Sequence, residues 1–388
     1  MTVISTEDAN PWRSQWHLRP DTVYLNHGSF GPPPHPVQAE QRRWRSELDA
    51  QPMDFFCRRL EPAWFESRGV LARFLGTRPE NLAMVDNATY AMNVVAASFP
   101  LQPRDEVLLT DHEYGAVLRI WKRACAKAGA EEPVIAELPL PAESPGQIID
   151  AIASRITDRT RMIVVSHITS PTAWTLPVAE ICAMARRRGI AVCVDGPHAL
   201  VQLPVDLDAL DCDFYTASCH KWLCAPFGSG FLYVSPRQQA QVQPPVLSWG
   251  RLPPTEIRTW DDDFAWIGTR DPSAFLAIKP AIEFIESVGL ETFRQKTHSL
   301  ARYARQRLVE LTRQTPWIPD SMDWYVSMAS VPLPPGNAAQ LQDELWRQYQ
   351  IEVPIVDWKG QRSIRVSCHL YNDTKEIDAL VSALAELL

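Results

Sequence analysis

Lys221 is the side chain of this sequence whose type and setting most directly offer covalent chemistry. It belongs to Ser218–Trp222, a polar segment that directly follows the strand-like run 214–216. Lysine is the side chain that forms a Schiff base with an aldehyde. The hydroxyl of Ser218 and the ring of His220 are suited to hydrogen bonding with a phosphate. A single lysine is usually an ordinary exposed side chain, so this hypothesis depends on further residues.

Asp195 provides a second signal, because it directly follows the fully apolar run 190–194. A carboxylate in such a position is costly unless it has a partner. The ring nitrogen of pyridoxal phosphate would be such a partner, since an aspartate there keeps the ring protonated and electron-withdrawing. His198 follows three residues later and could reach the phenolic oxygen of that ring. A structural aspartate that caps the next turn is the alternative.

Two more polar segments follow predicted strands. Ala88 and Thr89 come after the run 82–85, and a helix start there would offer backbone N–H groups and a hydroxyl to a phosphate. A plain N-cap is the alternative interpretation. Tyr114 comes after the run 106–109 and could stack on a flat cofactor, although a core aromatic is the alternative. His112 and Glu113 do not form a zinc motif, because no second histidine follows at the required spacing.

An alternation of strands and helices between residues 80 and 235 positions these four segments. Apolar runs predict strands at 82–85, 106–109, 133–138, 161–166, 190–194, 214–216 and 230–234. Amphipathic segments predict helices at 89–97, 116–127, 147–155 and 178–188. This alternation predicts a mainly parallel sheet with helices on both faces. Ligands of such sheets bind beyond the carboxyl ends of the strands, which is where all four segments are expected.

The pattern changes near residue 260. A long helical stretch over 272–311 precedes an extended segment at 325–333, a helix at 338–348, a strand at 363–367 and a closing helix at 374–388. Strands and helices without strict alternation predict a smaller α+β lobe. We therefore expect a large domain over 21–264 and a small α+β domain formed by 1–20 and 265–388.

Composition excludes several classes of protein. The chain carries 38 basic and 46 acidic side chains, a net charge of -8, which argues against a nucleic-acid partner. No apolar run approaches the length of a membrane span, and the opening residues lack the features of a secretory signal. We expect a cytoplasmic protein with a small-molecule substrate, free thiols, no membrane partner and no metal.

The chain resembles the fold-type I pyridoxal-phosphate enzymes, specifically the class V aminotransferase family and its isopenicillin N epimerase-like group. The resemblance covers almost the whole chain and rests on residues 25–32, 51–55, 195–199, 218–222 and 363–367, and loosely on 256–271. Asp195 together with Ser-x-His-Lys at 218–221 is specific to the family, and Asn-His-Gly-Ser-Phe-Gly at 26–31 is specific to the group. The resemblance implies an α/β fold with a mainly parallel seven-stranded sheet, a smaller α+β domain, and pyridoxal 5'-phosphate as cofactor.

The resemblance also implies roles around the cofactor ring. Lys221 would hold the cofactor covalently and move the Cα proton of the substrate. Asp195 would pair with the pyridine nitrogen, His198 would bond the phenolate oxygen, and Tyr114 would stack on the ring.

Further roles concern the phosphate and the substrate. Ala88, Thr89, Ser218 and His220 would bind the phosphate. Thr269 would reach the phosphate of the neighbouring subunit, which implies a homodimer with shared active sites. Arg365 would clamp the substrate carboxylate, Asn26 and His27 would lie over the substrate, and Ser170 belongs to a loop expected to face it.

One departure concerns that loop, residues 166–174. Ala173 stands where the group usually has glycine, and Trp174 adds bulk beside it. The pocket is therefore expected to differ in shape, and the substrate of the epimerase is not carried over.

The preferred reaction is β-elimination from an S-substituted cysteine, a bulky L-amino acid of specialised metabolism. This reaction needs only Lys221 and a good leaving group. Epimerisation is the alternative, and it needs a second acid opposite Lys221, for which His27, His112 or a tyrosine are candidates. A class V aminotransferase, a decarboxylating or deaminating enzyme, and a non-catalytic binding protein on the same fold stay open. A persulfide-forming desulfurase is disfavoured, because no cysteine lies between Cys224 and Cys368.

Overall fold

A computed structural model describes residues 10–388 of the chain. Residues 1–9, which the sequence assigns to the small domain, lie outside this range. The strands, in chain order, are β1 (Val23–Tyr24), β2 (Leu82–Val85), β3 (Glu106–Thr110), β4 (Val134–Ala136), β5 (Thr160–Ser166), β6 (Ala191–Asp195), β7 (Phe214–Ser218), β8 (Gly230–Val234), β9 (Met328–Pro332), β10 (Ile351–Glu352), β11 (Ile355–Trp358) and β12 (Gln361–Ser367).

Helices flank these strands. The longer ones are His35–Ala50, Leu60–Phe74, Ala88–Ser98, Gly115–Ala128, Pro145–Ala153, Val178–Arg187, Ile278–Val288, Leu290–Thr312, Ala338–Tyr349 and Thr374–Leu387. Shorter helical turns are Pro52–Asp54, Leu207–Leu210, Asp262–Ala265 and Ser273–Leu276, with a π-helical turn over Phe55–Arg59. No helix among residues 10–388 is both long enough and apolar enough to cross a membrane.

A seven-stranded sheet forms the centre of the fold, in the order β2-β8-β7-β6-β5-β3-β4. Strands β3 to β7 run parallel to one another, and β8 runs antiparallel to both β2 and β7. Every residue of β6 is buried, since helices cover both faces of the sheet. Cys193 faces one hydrophobic layer while Val194 faces the other. The predicted α/β fold with a mainly parallel sheet is therefore confirmed.

A second sheet contains the strand that carries Arg365. Strands β11, β12 and β9 are antiparallel in that order. Helix Leu290–Thr312 packs against β9, and β1 pairs in parallel with β10, so that Val23 lies beside Ile351. This pairing brings the segment that follows β1 close to the end of β12, where Asn26 bridges to Ser367.

The long helical stretch predicted at 272–311 is divided into three helices. The second of them, Ile278–Val288, ends at Gly289, whose φ of 85° lies in the left-handed region. A glycine adopts such a conformation without the steric cost that other residues meet, and it commonly ends a helix. The periodicity of the sequence continues across this break, which is why the stretch was predicted as one element.

Candidate active site

A cavity of about 550 Å³ lies where the carboxyl ends of β2, β5, β6 and β7 meet. The predicted site residues that line it are Ala88, Thr89, Tyr114, Ser170, Asp195, His198, Ser218, His220, Lys221 and Arg365. Residues 28–30 and several apolar side chains of helix Gly115–Ala128 complete its wall. The fold thus brings together residues as far apart in the sequence as Gly28 and Arg365.

Lys221 follows β7 and points its amine toward His198, with 3.2 Å between Lys221 Nζ and His198 Nε2. Burial lowers the pKa of Lys221, and the charge of Arg365 lowers it further, while Asp195 acts in the opposite direction. A lysine with a lowered pKa supplies more of the neutral amine that reacts with a carbonyl. Lys221 is therefore suited to attack an aldehyde.

His198 is held in one tautomer by Trp222. The indole Nε1 of Trp222 donates to His198 Nδ1 at 3.3 Å. Because an indole N–H can only donate, Nδ1 accepts and Nε2 carries the ring proton. Burial lowers the pKa of His198 far below its ordinary value, so the ring is neutral. Its Nε2–H can serve a phenolic oxygen beside Lys221.

Asp195 ends β6 at the floor of the cavity. Thr216 Oγ1 on the neighbouring strand donates to Asp195 Oδ1 at 3.0 Å, and burial raises the pKa of this carboxyl group. A buried carboxylate gains most from a cationic partner. A protonated ring nitrogen placed above Asp195 would be such a partner.

The start of helix Ala88–Ser98 faces the other end of the cavity. Asn87 caps this helix by accepting from Tyr90 N at 2.9 Å, and Ser218 Oγ accepts from Ala88 N at 3.0 Å. His220 lines the same region, and its buried Nδ1 has no partner among the described residues. An unpartnered polar atom beside a helix N-terminus fits a phosphate oxygen. The residues present therefore fit pyridoxal phosphate.

Arg365 on β12 is a buried guanidinium held by two serines. Its Nη1 donates to Ser170 O at 2.5 Å and to Ser170 Oγ at 3.2 Å, and its Nη2 donates to Ser29 Oγ at 3.0 Å. Its buried Nε has no partner among the described residues, and burial lowers its pKa to about 10. No carboxylate of residues 10–388 forms an ion pair with it, so a substrate carboxylate would complete its contacts.

Three predicted site residues lie outside the cavity wall. His27 is fully buried behind Lys221, and Asn26 donates Nδ2 to Glu352 Oε1 at 3.1 Å. Neither residue lines the cavity of this chain, so their predicted place over the substrate gains no support from it, whereas Ser29 from the same motif does line the cavity. Thr269 is exposed and does not line this chain's cavity. Its role at a neighbouring subunit stays a prediction.

The loop after β5 places Trp174 differently from the expectation. Trp174 is only 1% exposed and packs against His112, with 4.5 Å between the ring centroids, while Ser170 and Ile168 face the cavity. Ala173 has a φ of 60°, in the left-handed region that favours glycine. Glycine would adopt this conformation at position 173 with less steric cost than alanine.

Glu113 is a buried acid that the sequence did not single out as part of a site. Ser166 Oγ donates to one of its oxygens at 2.6 Å, and Thr110 Oγ1 donates to the other at 2.7 Å. Burial, with a smaller contribution from the charge of Asp195, raises the pKa of Glu113 to about 7. Its carboxyl group therefore lies under the cavity wall at Ser166. The spacing Thr110-x-x-Glu113, which allows the hydroxyl to reach the carboxyl group, was the sequence signal that could have pointed to this contact.

The positions of the candidate residues decide which of them could act as a second acid opposite Lys221. His27 binds the backbone of Lys221 itself, and His112 is buried between Trp174 and Trp358. Tyr114 lines the cavity and is half-exposed. No cysteine of the described chain lines the cavity, so this wall offers no thiol for persulfide chemistry.

Comparison with known proteins identifies a family and several relatives to which this chain is similar. The model of the family "Aminotransferase class-V" matches residues 57–380. An isopenicillin N epimerase of Amycolatopsis lactamdurans is 36% identical, over 99% of this chain and 100% of the relative. A putative L-cysteine desulfhydrase of Oryza sativa subsp. japonica is 30% identical, over 96% of this chain and 84% of the relative. The solved structure of the cystine C–S lyase C-DES with its product cysteine persulfide has the same fold, with a TM-score of 0.81 at 22% identity over 95% of this chain and 98% of that one.

Proposed function

The chain belongs to the class V aminotransferase family of pyridoxal-phosphate-dependent enzymes, and we propose that it catalyses β-elimination of an S-substituted L-cysteine. The products would be a thiol, pyruvate and ammonia. The observation that carries this proposal is that one cavity contains Lys221, the one lysine among its described lining residues, and the buried Arg365, which forms no ion pair with a carboxylate of residues 10–388. Such a cavity supplies a base for Cα and an anchor for the α-carboxylate.

Several residues orient the substrate and the cofactor in this proposal. Arg365 holds the α-carboxylate of the substrate, with Ser29 and Ser170 fixing the plane of its guanidinium. Ser218, His220, Ala88 and Thr89 bind the phosphate, and Tyr114 covers the ring. Asp195 and the neutral His198 bind the ring nitrogen and the phenolic oxygen.

Bound pyridoxal phosphate supplies an electron-withdrawing ring that stabilises negative charge at Cα. Lys221 Nζ removes the Cα proton as a general base. The Cβ–S bond then breaks, and the electron pair leaves with the sulfur. Lys221 returns the proton to the departing thiolate, and the released 2-aminoacrylate is hydrolysed by water to pyruvate and ammonia. No second acid is required.

Epimerisation at Cα is a second candidate, because the epimerase relative is similar over its full length. This reaction needs a proton donor on the face opposite Lys221. Tyr114 is the candidate that lines the cavity.

Proton NMR in deuterated buffer separates the two reactions. The purified enzyme with pyridoxal phosphate is given a panel of L-amino acids that includes S-alkyl and S-aryl cysteines. Pyruvate, ammonia and a free thiol would support elimination. A D-amino acid with an intact side chain, whose formation is lost in Tyr114→Phe, would overturn it in favour of epimerisation.

The Lys221→Ala variant is the control for both reactions. We expect it to lose the visible absorbance of covalently attached cofactor and all turnover of the panel. If this variant kept that absorbance, the proposed role of Lys221 would be wrong.

A further inference from the structure

A short turn of the chain, residues 27–31, contacts both Lys221 and Arg365. We propose that this turn is a positioning element that sets the amine of Lys221 at the correct distance from the guanidinium of Arg365. In this proposal His27 holds Lys221 together with the backbone N–H of Cys224, which donates to the same Lys221 oxygen at 2.9 Å. The inference rests on the roles proposed above for Lys221 and Arg365. His27 itself touches neither substrate nor cofactor, because it lies behind the cavity wall.

His27 is held by a hydrogen bond at each ring nitrogen. Its Nε2 lies 3.1 Å from the backbone oxygen of Lys221, and its Nδ1 lies 2.8 Å from the hydroxyl of Tyr371. A carbonyl oxygen can only accept, so Nε2 carries the proton and Nδ1 accepts from Tyr371. Tyr371 thereby selects the tautomer that can hold Lys221.

Full burial keeps His27 neutral, since burial lowers its pKa to about 3. The ring nitrogen therefore donates to Lys221 as an uncharged group and adds no positive charge beside the amine. An added charge would oppose protonation of Lys221. The contact fixes the position of the lysine backbone and leaves the charge around its amine unchanged.

Gly31 makes an independent contact with the same carbonyl. A Cβ atom at position 31 would lie 2.4 Å from Lys221 O and 2.8 Å from His220 O. Real carbon atoms do not approach backbone oxygens so closely, so only glycine fits there. The turn therefore packs directly on the backbone of residues 220 and 221.

Ser29 connects the turn to the guanidinium of Arg365. Its hydroxyl accepts from Arg365 Nη2 at 3.0 Å, and its backbone N–H closes the turn by donating to Asn26 O at 3.0 Å. His27 and Ser29 are two residues apart in one closed turn, so their contacts move together. A shift of this turn would change the separation between the base and the carboxylate anchor.

A metal site is a different explanation for the buried group His27, Cys224 and His369, whose ligand atoms lie within 4.8 Å of one another. The two imidazole rings are stacked, with 4.0 Å between centroids and 14° between planes. The lone pair of each Nε2 lies in its own ring plane, and two nearly parallel planes do not converge on one ion. The geometry favours hydrogen bonding and packing.

Two substitutions at position 27 separate positioning from general stability. The side-chain amide of His27→Gln can reach the place of Nε2 and donate to Lys221 O. The shorter amide of His27→Asn reaches only the place of Nδ1, beside Tyr371. We expect His27→Asn to lower kcat about tenfold to a hundredfold with little change in KM, and His27→Gln to restore most of kcat.

A readout besides activity is the rate at which the apoprotein recombines with pyridoxal phosphate as a function of pH. We expect His27→Asn to slow this recombination and to change the pH midpoint of the visible absorbance of the bound cofactor, and His27→Gln to leave both near wild type. Ser29→Ala is expected to raise KM more than it lowers kcat. His298→Gln, at a histidine on the outer helix Leu290–Thr312, is the control and should match wild type.

Equal behaviour of His27→Asn and His27→Gln in kcat and in recombination would overturn the inference, even if both proteins were less stable. If His27→Asn does not fold, Tyr371→Phe takes its place, and unchanged recombination in that variant would contradict the inference as well. Lys221→Ala tests the underlying function separately. If it kept covalent cofactor, the proposed function would fail whatever the variants at position 27 did.

Discussion

Arg365 has a buried guanidinium that is oriented by serine oxygens and paired with no described carboxylate. Replacing it with lysine keeps the charge but removes the planar fork that can bind a carboxylate with two parallel hydrogen bonds. We expect Arg365→Lys to raise KM roughly tenfold to a hundredfold, in line with the loss of a charge-assisted bond. Steady-state kinetics would measure this effect. Arg362→Lys, on the same strand, is the control. If Arg365→Lys had the same KM as Arg362→Lys, the proposed binding of the substrate carboxylate by Arg365 would be contradicted.

Glu113 makes stability depend on pH. Its pKa is raised from the ordinary 4.5 to about 7 by burial, so the folded state favours the protonated form. Its stabilising contribution is fully present below the unfolded pKa and is lost as the pH rises through about 7. Glu113→Gln cannot ionise and still offers an oxygen to Thr110 or Ser166. We expect the Tm of the apoprotein variant to exceed that of wild type by an amount that grows between about pH 5 and about pH 8.

Thermal scans across this range, with Glu131→Gln as an exposed control, provide the measurement. The buried histidines change stability in the opposite direction, because burial lowers the pKa of His27 to about 3 and that of His167 to about 4. They therefore reduce stability as the pH falls, equally in both proteins. Parallel Tm curves for wild type and Glu113→Gln would show that Glu113 stays ionised in the fold.

The hairpin of β11 and β12 is the element that ties the strand of Arg365 to the segment of Tyr114. Its tip, Lys359 and Gly360, has φ values of 54° and 72°, typical of a tight two-residue hairpin turn. Trp358 Nε1 donates to Asp111 O at 3.0 Å, and Lys359 Nζ lies 2.5 Å from Asp111 Oδ2. The hairpin therefore holds the segment that leads into Tyr114.

Weakening this tether should loosen the ring that covers the cofactor. Trp358→Phe keeps the ring against His112 but loses the N–H that binds Asp111. We expect the Kd for pyridoxal phosphate to rise about threefold to tenfold, the effect of about one net hydrogen bond. Equilibrium dialysis would measure it. Trp260→Phe loses a similar bond to the backbone oxygen of Glu80, and neither of these residues lines the cavity. An equal Kd in the two variants would argue against the tether.

At the scale of the whole molecule, the exposed apolar side chains are not scattered evenly. Val246, Leu247, Trp249 and Ile257 are exposed in one segment, with Leu247 76% exposed and Trp249 61% exposed. Exposed apolar patches mark interaction surfaces. We propose that this segment lies in the interface of a homodimer, in which Thr269 reaches the phosphate site of the neighbouring subunit.

Charges in this segment test the dimer. We expect the double substitution Leu247→Glu and Trp249→Glu to convert a dimer to a monomer in sedimentation velocity experiments, because each buried carboxylate would lack a partner. Cofactor affinity should fall in the same variant, since Thr269 of the other subunit would be absent. Leu388→Glu at an exposed terminal residue is the control. A wild-type monomer, or a double variant that stays dimeric, would refute the proposed interface.

The sequence by itself determined the central sheet and the edge at which the chemistry would lie. Strands such as β6 are buried on both faces, so their residues are apolar almost throughout. Such a strand can therefore be located in the sequence as an apolar run that ends at a polar residue. The carboxyl ends of parallel strands meet at one edge, so the sequence alone predicts that Asp195, Ser218 and Lys221 belong to a common site.

Only the tertiary structure decided which way the remaining side chains face. His27 and Trp174 lie in segments that follow strands, as Lys221 does, yet both side chains point into the protein. His27 forms a hydrogen bond with Tyr371, and Trp174 packs against His112. Glu113 is recognised as a buried acid only from its contacts, because Ser166 and Thr110 donate hydrogen bonds to its carboxyl group. Hydrophobic periodicity is a local property of the chain, whereas the direction of a side chain also depends on partners from distant parts of it, such as Tyr371 for His27. That dependence is why the fold followed from the sequence, whereas the role proposed for the turn at residues 27–31 rests on contacts that only the tertiary structure shows.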